Sequence, residues 1–372
     1  MRILVVGGGV LGTMHAWQAV ERGHEVVQLE REPEARGASV RNFGLVWVGG
    51  RASGPELATA QRARVLWERI GAKVPGVGFR PNGSLTVVRT DAELAVARQV
   101  TASAEAADRG FKLLDAAEVR ELNPALRGDF LGALWCDRDG AVEPRVAQPA
   151  LRAALEKTGR YTWLPGREVR ELTGIGVVDD RGERHVGDVV VFCTGAWLGG
   201  LVRELAGPAP VRRVRLQMAQ TEPLGEPLTT SVADADSFRY YPAYRGDALD
   251  ALNSGQPQGE VAARNAMQLL MVQRLDGSLT IGDTHEYDEP FGFDVDEDPY
   301  DHLADVAAAL LGRPLPRIRR RWAGVYAQAT DPARIVHRAR VADNAVLVTG
   351  PGGRGMTCSP AIAEDTAEEL GL

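Results

Sequence analysis

The sequence predicts an α/β protein: a parallel sheet entered through a βαβ unit, joined to a second, α+β unit on a mixed or antiparallel sheet. Residues 3–6 form an apolar run that ends in Gly7-Gly8-Gly9-Val10-Leu11-Gly12, as a buried parallel strand entering a tight turn does. Residues 345–348 form a second such run, followed by a stretch with four glycines in six residues (350–355) and a helical C-terminal segment. β-rich material with turn signals lies between, and at 372 residues the chain exceeds the usual single-core size of ~250–300.

Gly7, Gly9 and Gly12 have the G-x-G-x-x-G spacing of a dinucleotide-binding turn. The first permits the turn, the second lets backbone approach a pyrophosphate, and the third lets helix pack on strand. A helix over residues 13 to about 22 would offer its N–H groups and positive dipole end to phosphates. Residues 25–29 read as the next strand. Glu30 stands 18 residues after Gly12, close to where an acidic residue meets ribose hydroxyls.

Further along, residues 31–37 read as a loop and 56–70 as a helix. The Asn-Gly within Pro81-Asn82-Gly83 predicts a hairpin over 79–88. Residues 91–109 contain no Gly or Pro and predict one helix; 115–123 and 143–157 predict two more. Strands are expected at 169–172, 174–179, 188–192 and 211–221, and the Pro-containing 222–259 reads as loops and short strands. Asp276-Gly277 would join strands 268–273 and 278–281. A helix at 300–311, strands at 317–329 and 345–348 and a helix at 359–370 complete the reading. The first and last segments can share one sheet. Residues 1–80, 142–212 and 324–372 would then form the nucleotide-binding domain, and 81–141 and 213–323 the substrate domain.

A net charge of -7 supplies no basic footprint for nucleic acid or an anionic membrane. Lysine occurs only at 73, 112 and 157, which limits lysine chemistry to three candidates. The three cysteines, at 136, 193 and 358, are too widely spaced for a disulfide framework or a metal pair. No metal site is expected, and a reducing cytoplasm fits. No apolar run approaches the ~18 residues of a membrane span. A homo-oligomer is compatible with all of this.

Four separated motifs together resemble the FAD-dependent oxidoreductases of the D-amino acid oxidase superfamily, which includes glycine and sarcosine oxidases. They are Gly7–Gly12 with Glu30, residues 37–44, Val191-Phe192-Cys193-Thr194-Gly195-Ala196-Trp197, and Gly350-Pro351-Gly352-Gly353-Arg354-Gly355-Met356-Thr357. The resemblance implies an FAD-binding Rossmann-type (glutathione reductase-like) domain. It implies that Val10 and Leu11 sit at the pyrophosphate turn and that Glu30 and Arg31 flank the adenosine ribose. Ala38, Ser39, Arg41, Asn42, Phe43, Gly44 and Leu45 would line pyrophosphate and flavin. The backbone of Val169 would meet adenine, and Thr194 and Gly195, with Trp197 closing the motif, would pass beneath the dinucleotide. Gly352, Gly353, Arg354, Gly355, Met356 and Thr357 would wrap the flavin. Trp197 and Trp322 read as packing residues by their size.

Glycine oxidase-like members carry a carboxylate-binding Arg in a Trp-x-Gly-x-Arg segment. Here Trp322-Ala323-Gly324-Val325-Tyr326 has Tyr326 in that place. Gly353 or Thr357 stands where some members have a second cationic anchor. Gly324 stands near where sarcosine oxidase-like members attach flavin through Cys, so FAD is expected to be non-covalent. Thr280 stands where those members use Lys toward dioxygen, which leaves dioxygen or another acceptor open. Residues 39–44 look most like a bacterial branch associated with phosphonate breakdown. The expected substrate is therefore a small anionic amine such as 2-aminoethylphosphonate or its N-methyl form, giving hydride to flavin. Arg41 and Arg354 either anchor that anion or contact the cofactor. Tyr240, His285 and Tyr326 are the candidate catalytic groups, each with a structural alternative. A 2-hydroxy acid dehydrogenase, a glycine/sarcosine-type amino acid oxidase and a non-catalytic FAD-binding module are the rival readings.

Overall fold

The structure is a computed structural model that describes residues 1–372. A six-stranded sheet runs in the order His337–Ala342, Ala345–Thr349, Val189–Phe192, Arg2–Val6, Glu25–Glu30, Tyr161–Pro165. All neighbours are parallel except the first pair. Its central strands are continuous apolar runs because both faces are covered. Helices Val10–Glu21, Pro55–Lys73 and Gly355–Glu369 pack Met14, Trp67 and Ile362 against Ile3 and Val5 on one side. On the other, a small sheet of Val169–Thr173, Gly176–Asp179 and Arg184–Val186 contributes Val169 and Val177 to a cluster with Leu4, Val27 and Val190.

An eight-stranded sheet forms the second layer, in the order Ile318–Ala329, Val211–Pro223, Ser278–Gly282, Leu270–Gln273, Ser231–Ala233, Ser84–Val88, Gly132–Cys136, Phe111–Asp115. Helix Asp298–Leu311 covers one face with Tyr300, Leu303 and Leu310. Near the sheet's long strands the opposite face holds Met218 and Leu270 against Phe43, Leu45 and Trp47. The expected boundaries after 212 and 323 fall inside Val211–Pro223 and Ile318–Ala329, and both strands belong whole to this sheet.

Four local expectations are corrected. No hairpin forms over 79–88: Arg80 bridges to Ala141, and Ser84–Val88 lies between Gly132–Cys136 and Ser231–Ala233. An interior strand must pair on both edges, and these distant partners replace the local one. The helix expected over 91–109 splits into Asp91–Thr101 and Ala106–Arg109. Ser103 donates its hydroxyl to the Val100 carbonyl, so a side chain competes with the helical ladder there. Within 222–259 a helix forms over Asp247–Gly255, because Leu249 and Leu252 bury beside Val96 and Val100. The last helix begins at Gly355, not Ser359, so its first turn lies in the glycine-rich segment itself.

Trp67 ties that turn to the second helix. It is fully buried, and its Nε1 donates to the carbonyls of Met356 (3.0 Å) and Thr357 (3.2 Å). Trp67→Ala is expected to cost about 4 kcal/mol in urea unfolding, by loss of apolar contacts and the cavity left behind, and to weaken cofactor retention on dilution.

Candidate active site

One cavity of about 1120 Å³ lies between the two sheets. Its first wall is the N-terminal turn. Gly7 has φ +116°, and a Cβ there would meet the Cys193 carbonyl oxygen at 2.3 Å. A Cβ on Gly12 would lie 2.0 Å from the Gly7 carbonyl oxygen. Strand end, turn and helix therefore touch backbone to backbone. Buried Gln28 secures the turn by donating to the Gly7 carbonyl (2.8 Å) and accepting from the Tyr161 hydroxyl (2.7 Å). Ser39 accepts from the Val10 N–H (2.9 Å), and Glu30 accepts from the Gly8 N–H (2.6 Å). The helix begins at Val10, so its next N–H groups, on Leu11 and Gly12, have no partner within the helix.

Gly7, Gly9, Val10, Leu11, Glu30 and Arg31 line the cavity at this end, and Gly12 lies behind it in the helix–strand contact. Ala38, Ser39, Arg41, Asn42, Phe43 and Leu45 line it next. Gly44 does not: its φ is +72°, and a Cβ there would run into the Val142 carbonyl oxygen. Val169, Thr194, Gly195 and Trp197 complete the cavity wall on this side. Trp197 is 51% exposed under the Arg31 guanidinium, which corrects its expected place in the core, whereas Trp322 is partly buried.

Gly352, Gly353, Arg354, Gly355 and Met356 line the cavity from the C-terminal loop. Thr357 does not reach it. Its hydroxyl accepts from the Trp47 N–H and donates to the Leu45 carbonyl, tying the last helix to the loop after residue 44. Arg354 cannot serve as a free anion anchor. It is buried, pairs with Glu56 at 2.9 Å and donates to the carbonyls of Pro351 and Arg334. Arg41 is exposed and donates to the Ala323 carbonyl (2.8 Å) without a carboxylate partner.

The far wall comes from the eight-stranded sheet and its loops. Pairing aligns Leu216 with Gly324 and Met218 with Gly282, and all four lie on or against the cavity face. Gly282 faces Phe43, and Gly324 faces Arg41. Tyr326 lines the cavity with a buried hydroxyl that has no hydrogen-bond partner, beside Gly353. Tyr326 and Gly353 are thus neighbours, and neither carries a charge. Tyr240 stacks on His285 (centroids 4.3 Å apart), and Tyr241 packs on Trp47. Tyr244 is core, against Phe238 and Phe111. Burial lowers the His285 pKa to about 4, so the ring is neutral at physiological pH. The same desolvation pushes the Tyr326 phenol up.

Asp283, Arg212 and Arg51 are among the lining residues that were not sequence candidates. Asp283 directly follows an apolar strand, a placement that could have singled it out. Arg212 lies on the cavity-facing rank of its strand, beneath Tyr287 and bonded to Gln328. Buried Arg51 bonds the Trp47 carbonyl and lies 3.9 Å from Glu56. None of the three lysines lines the cavity, nor does Thr280. The one lining cysteine, Cys193, is at the nucleotide end.

The FAD dependent oxidoreductase family (DAO) matches residues 2–369, and the chain belongs to it. An opine oxidase polypeptide of Rhizobium meliloti is 30% identical over 42% of this chain, and the match spans only 45% of that protein. The D-amino-acid oxidase of Streptomyces coelicolor is 32% identical over 70% of this chain and 74% of its own length. The crystal structure of glycine oxidase from Bacillus cereus ATCC 14579 shares the fold, with a TM-score of 0.78 at 18% identity over 100% of this chain and 94% of that one. The protein is an FAD-dependent oxidoreductase. Its cavity suits the cofactor: close-packed glycines and unpartnered helix N–H groups stand at one end. No helix is long and apolar enough to cross a membrane.

Glu56 is the carboxylate that keeps Arg354 satisfied. Glu56→Ala is expected to destabilise the fold by about 3–5 kcal/mol, because it strands a buried charge. Glu56→Ala with Arg354→Ala is expected to recover part of that loss in the same unfolding assay.

Proposed function

We propose that this enzyme oxidises the C–N bond of a small amine that carries an anionic group away from the reacting carbon. The preferred class is an aminophosphonate such as 2-aminoethylphosphonate or its N-methyl form. The observation that carries the reading is the set of cavity-lining guanidinium groups that have no carboxylate partner and form no ion pair with Asp283. Tyr326 is an uncharged phenol beside Gly353, while Arg41, Arg212 and Arg245 are exposed at the cavity without carboxylate partners. An α-carboxylate would lie next to the reacting carbon and would need a cation deep in the site. A terminal phosphonate reaches the rim, where guanidinium groups suit its charge and its oxygens.

On this reading the six-stranded unit holds FAD non-covalently, and the eight-stranded sheet roofs the substrate. Bound there, FAD would supply the hydride acceptor for oxidation of the carbon beside nitrogen. Tyr240 and His285 form a stacked platform for the amine-bearing carbon, and the Tyr326 hydroxyl supplies an uncharged donor. The aromatic wall excludes water, so orientation supplies much of the rate. Hydrolysis of the imine gives an aldehyde with ammonia or an amine, and dioxygen or another acceptor completes the cycle. The cytoplasm is the compartment we assign, and relatives named for opine and amino acid oxidation support an amine donor.

Anaerobic titration of the FAD-loaded protein, followed at the oxidised-flavin band near ~450 nm, tests this. Bleaching by 2-aminoethylphosphonates but not by glycine, sarcosine or 2-hydroxy acids is expected. Bleaching by glycine or sarcosine alone would overturn the aminophosphonate class. Bleaching by 2-hydroxy acids alone would overturn the amine reading.

A further inference from the structure

Asp283 and His285 present two hydrogen-bond acceptors to the cavity with no donor between them. His285 Nδ1 lies 2.9 Å from the Ala266 carbonyl, which can only accept, so Nδ1 carries the proton and Nε2 keeps its lone pair. Nε2 lies 3.9 Å from Asp283 Oδ2, too far for a direct hydrogen bond. Asp283 Oδ1 is held by Gln268 Nε2 at 2.9 Å. The carboxyl is 6% exposed and lines the cavity. The groups that face it are His285 and Gln268, with the phenols of Tyr240, Tyr241, Tyr287 and Tyr326 nearby; no Arg or Lys forms an ion pair with it.

We propose that Asp283 and His285 receive the substrate's ammonium group, with Asp283 taking its proton so that the amine is neutral for oxidation. The inference rests on the amine reading and adds the residues that select and deprotonate the amine. A primary or N-methyl ammonium has at least two N–H bonds, enough to donate to both acceptors. The step is balanced: an N–H bond breaks, an O–H bond forms on Asp283, and the positive and negative charges cancel. A hydroxy acid brings one O–H donor and no charge to this end, so the pair favours amines. A buried carboxylate without a cation is costly, and burial raises the Asp283 pKa to about 8 in the absence of substrate. Below that pH the free enzyme must lose a proton to receive an ammonium; above it, the carboxylate is ready.

The test is the pH profile of kcat/KM for flavin reduction by two amines of different pKa, using FAD-loaded wild type, Asp283→Asn and Asp283→Glu. In the wild type kcat/KM is expected to rise through an inflection near 8 that stays put when the amine is changed. In Asp283→Asn the rise is expected to continue to the amine's own pKa, near ~10, with a loss on the order of 100-fold at about pH 7.5. Asp283→Glu is expected to retain an amine-independent inflection at reduced rate. A wild-type inflection that tracks the amine overturns the proposal even if neither variant folds. So does an Asp283→Asn profile that matches the wild type with full FAD content. If no amine reduces wild-type flavin at any pH, the amine reading fails first and this inference falls with it.

Discussion

At Gly7 and Gly12 backbone rests directly on backbone, and the geometry of the cavity follows from that contact. A Cβ at either position would occupy the space of a carbonyl oxygen. With both positions bare, the helix from Val10 starts immediately beyond the strand and aims its N-terminus into the cleft. Gln28, Tyr161, Glu30 and Ser39 then hold the turn from three directions. The same logic closes the other side, where Trp67 and Thr357 fix the first turn of the last helix. Two helix starts thus converge on one cavity from opposite ends of the chain, and the first leaves the N–H groups of Leu11 and Gly12 without helical partners.

Charge around the cavity is arranged in two ways. The buried guanidinium groups of Arg51 and Arg354 converge on Glu56 and on backbone carbonyls, so they shape the loop wall while leaving little capacity for a ligand. The deep end instead holds phenols, a neutral imidazole and a carboxyl. Cations without carboxylate partners stand at the exposed positions 41, 212 and 245. A substrate bearing nitrogen at one end and an anion at the other matches this polarity without stranding a charge in the interior.

Much of the cavity wall around the first glycine turn was legible because it is built from backbone. Glycine spacing, apolar runs and an acidic residue after the second strand are local signals, and local signals survive in a linear reading. Gly44 and Thr357 show the limit of motif transfer: both stand in the right segment, yet their contacts go to Val142, Trp47 and Leu45. The far side was harder because it is assembled by pairing. Arg212, Tyr326 and Gly282 share a face only through the register of three strands distant in sequence. The absent hairpin at 79–88 and the split helix at 91–109 arose where long-range pairing or side-chain hydrogen bonds overrode local propensity. Asp283 stands two residues before His285, but its lack of a cationic partner is visible only in three dimensions.

We place the substrate nitrogen deep, between Asp283 and His285, with the anion reaching the rim. The most direct measurement of that polarity is anaerobic stopped-flow flavin reduction across amines that differ only in the number of carbons between nitrogen and a phosphonate or carboxylate. The highest kcat/KM is expected when two carbons separate the groups, with the phosphonate ahead of the carboxylate. A maximum at a single carbon, as in glycine or aminomethylphosphonate, would put the anion beside the reacting carbon and contradict it.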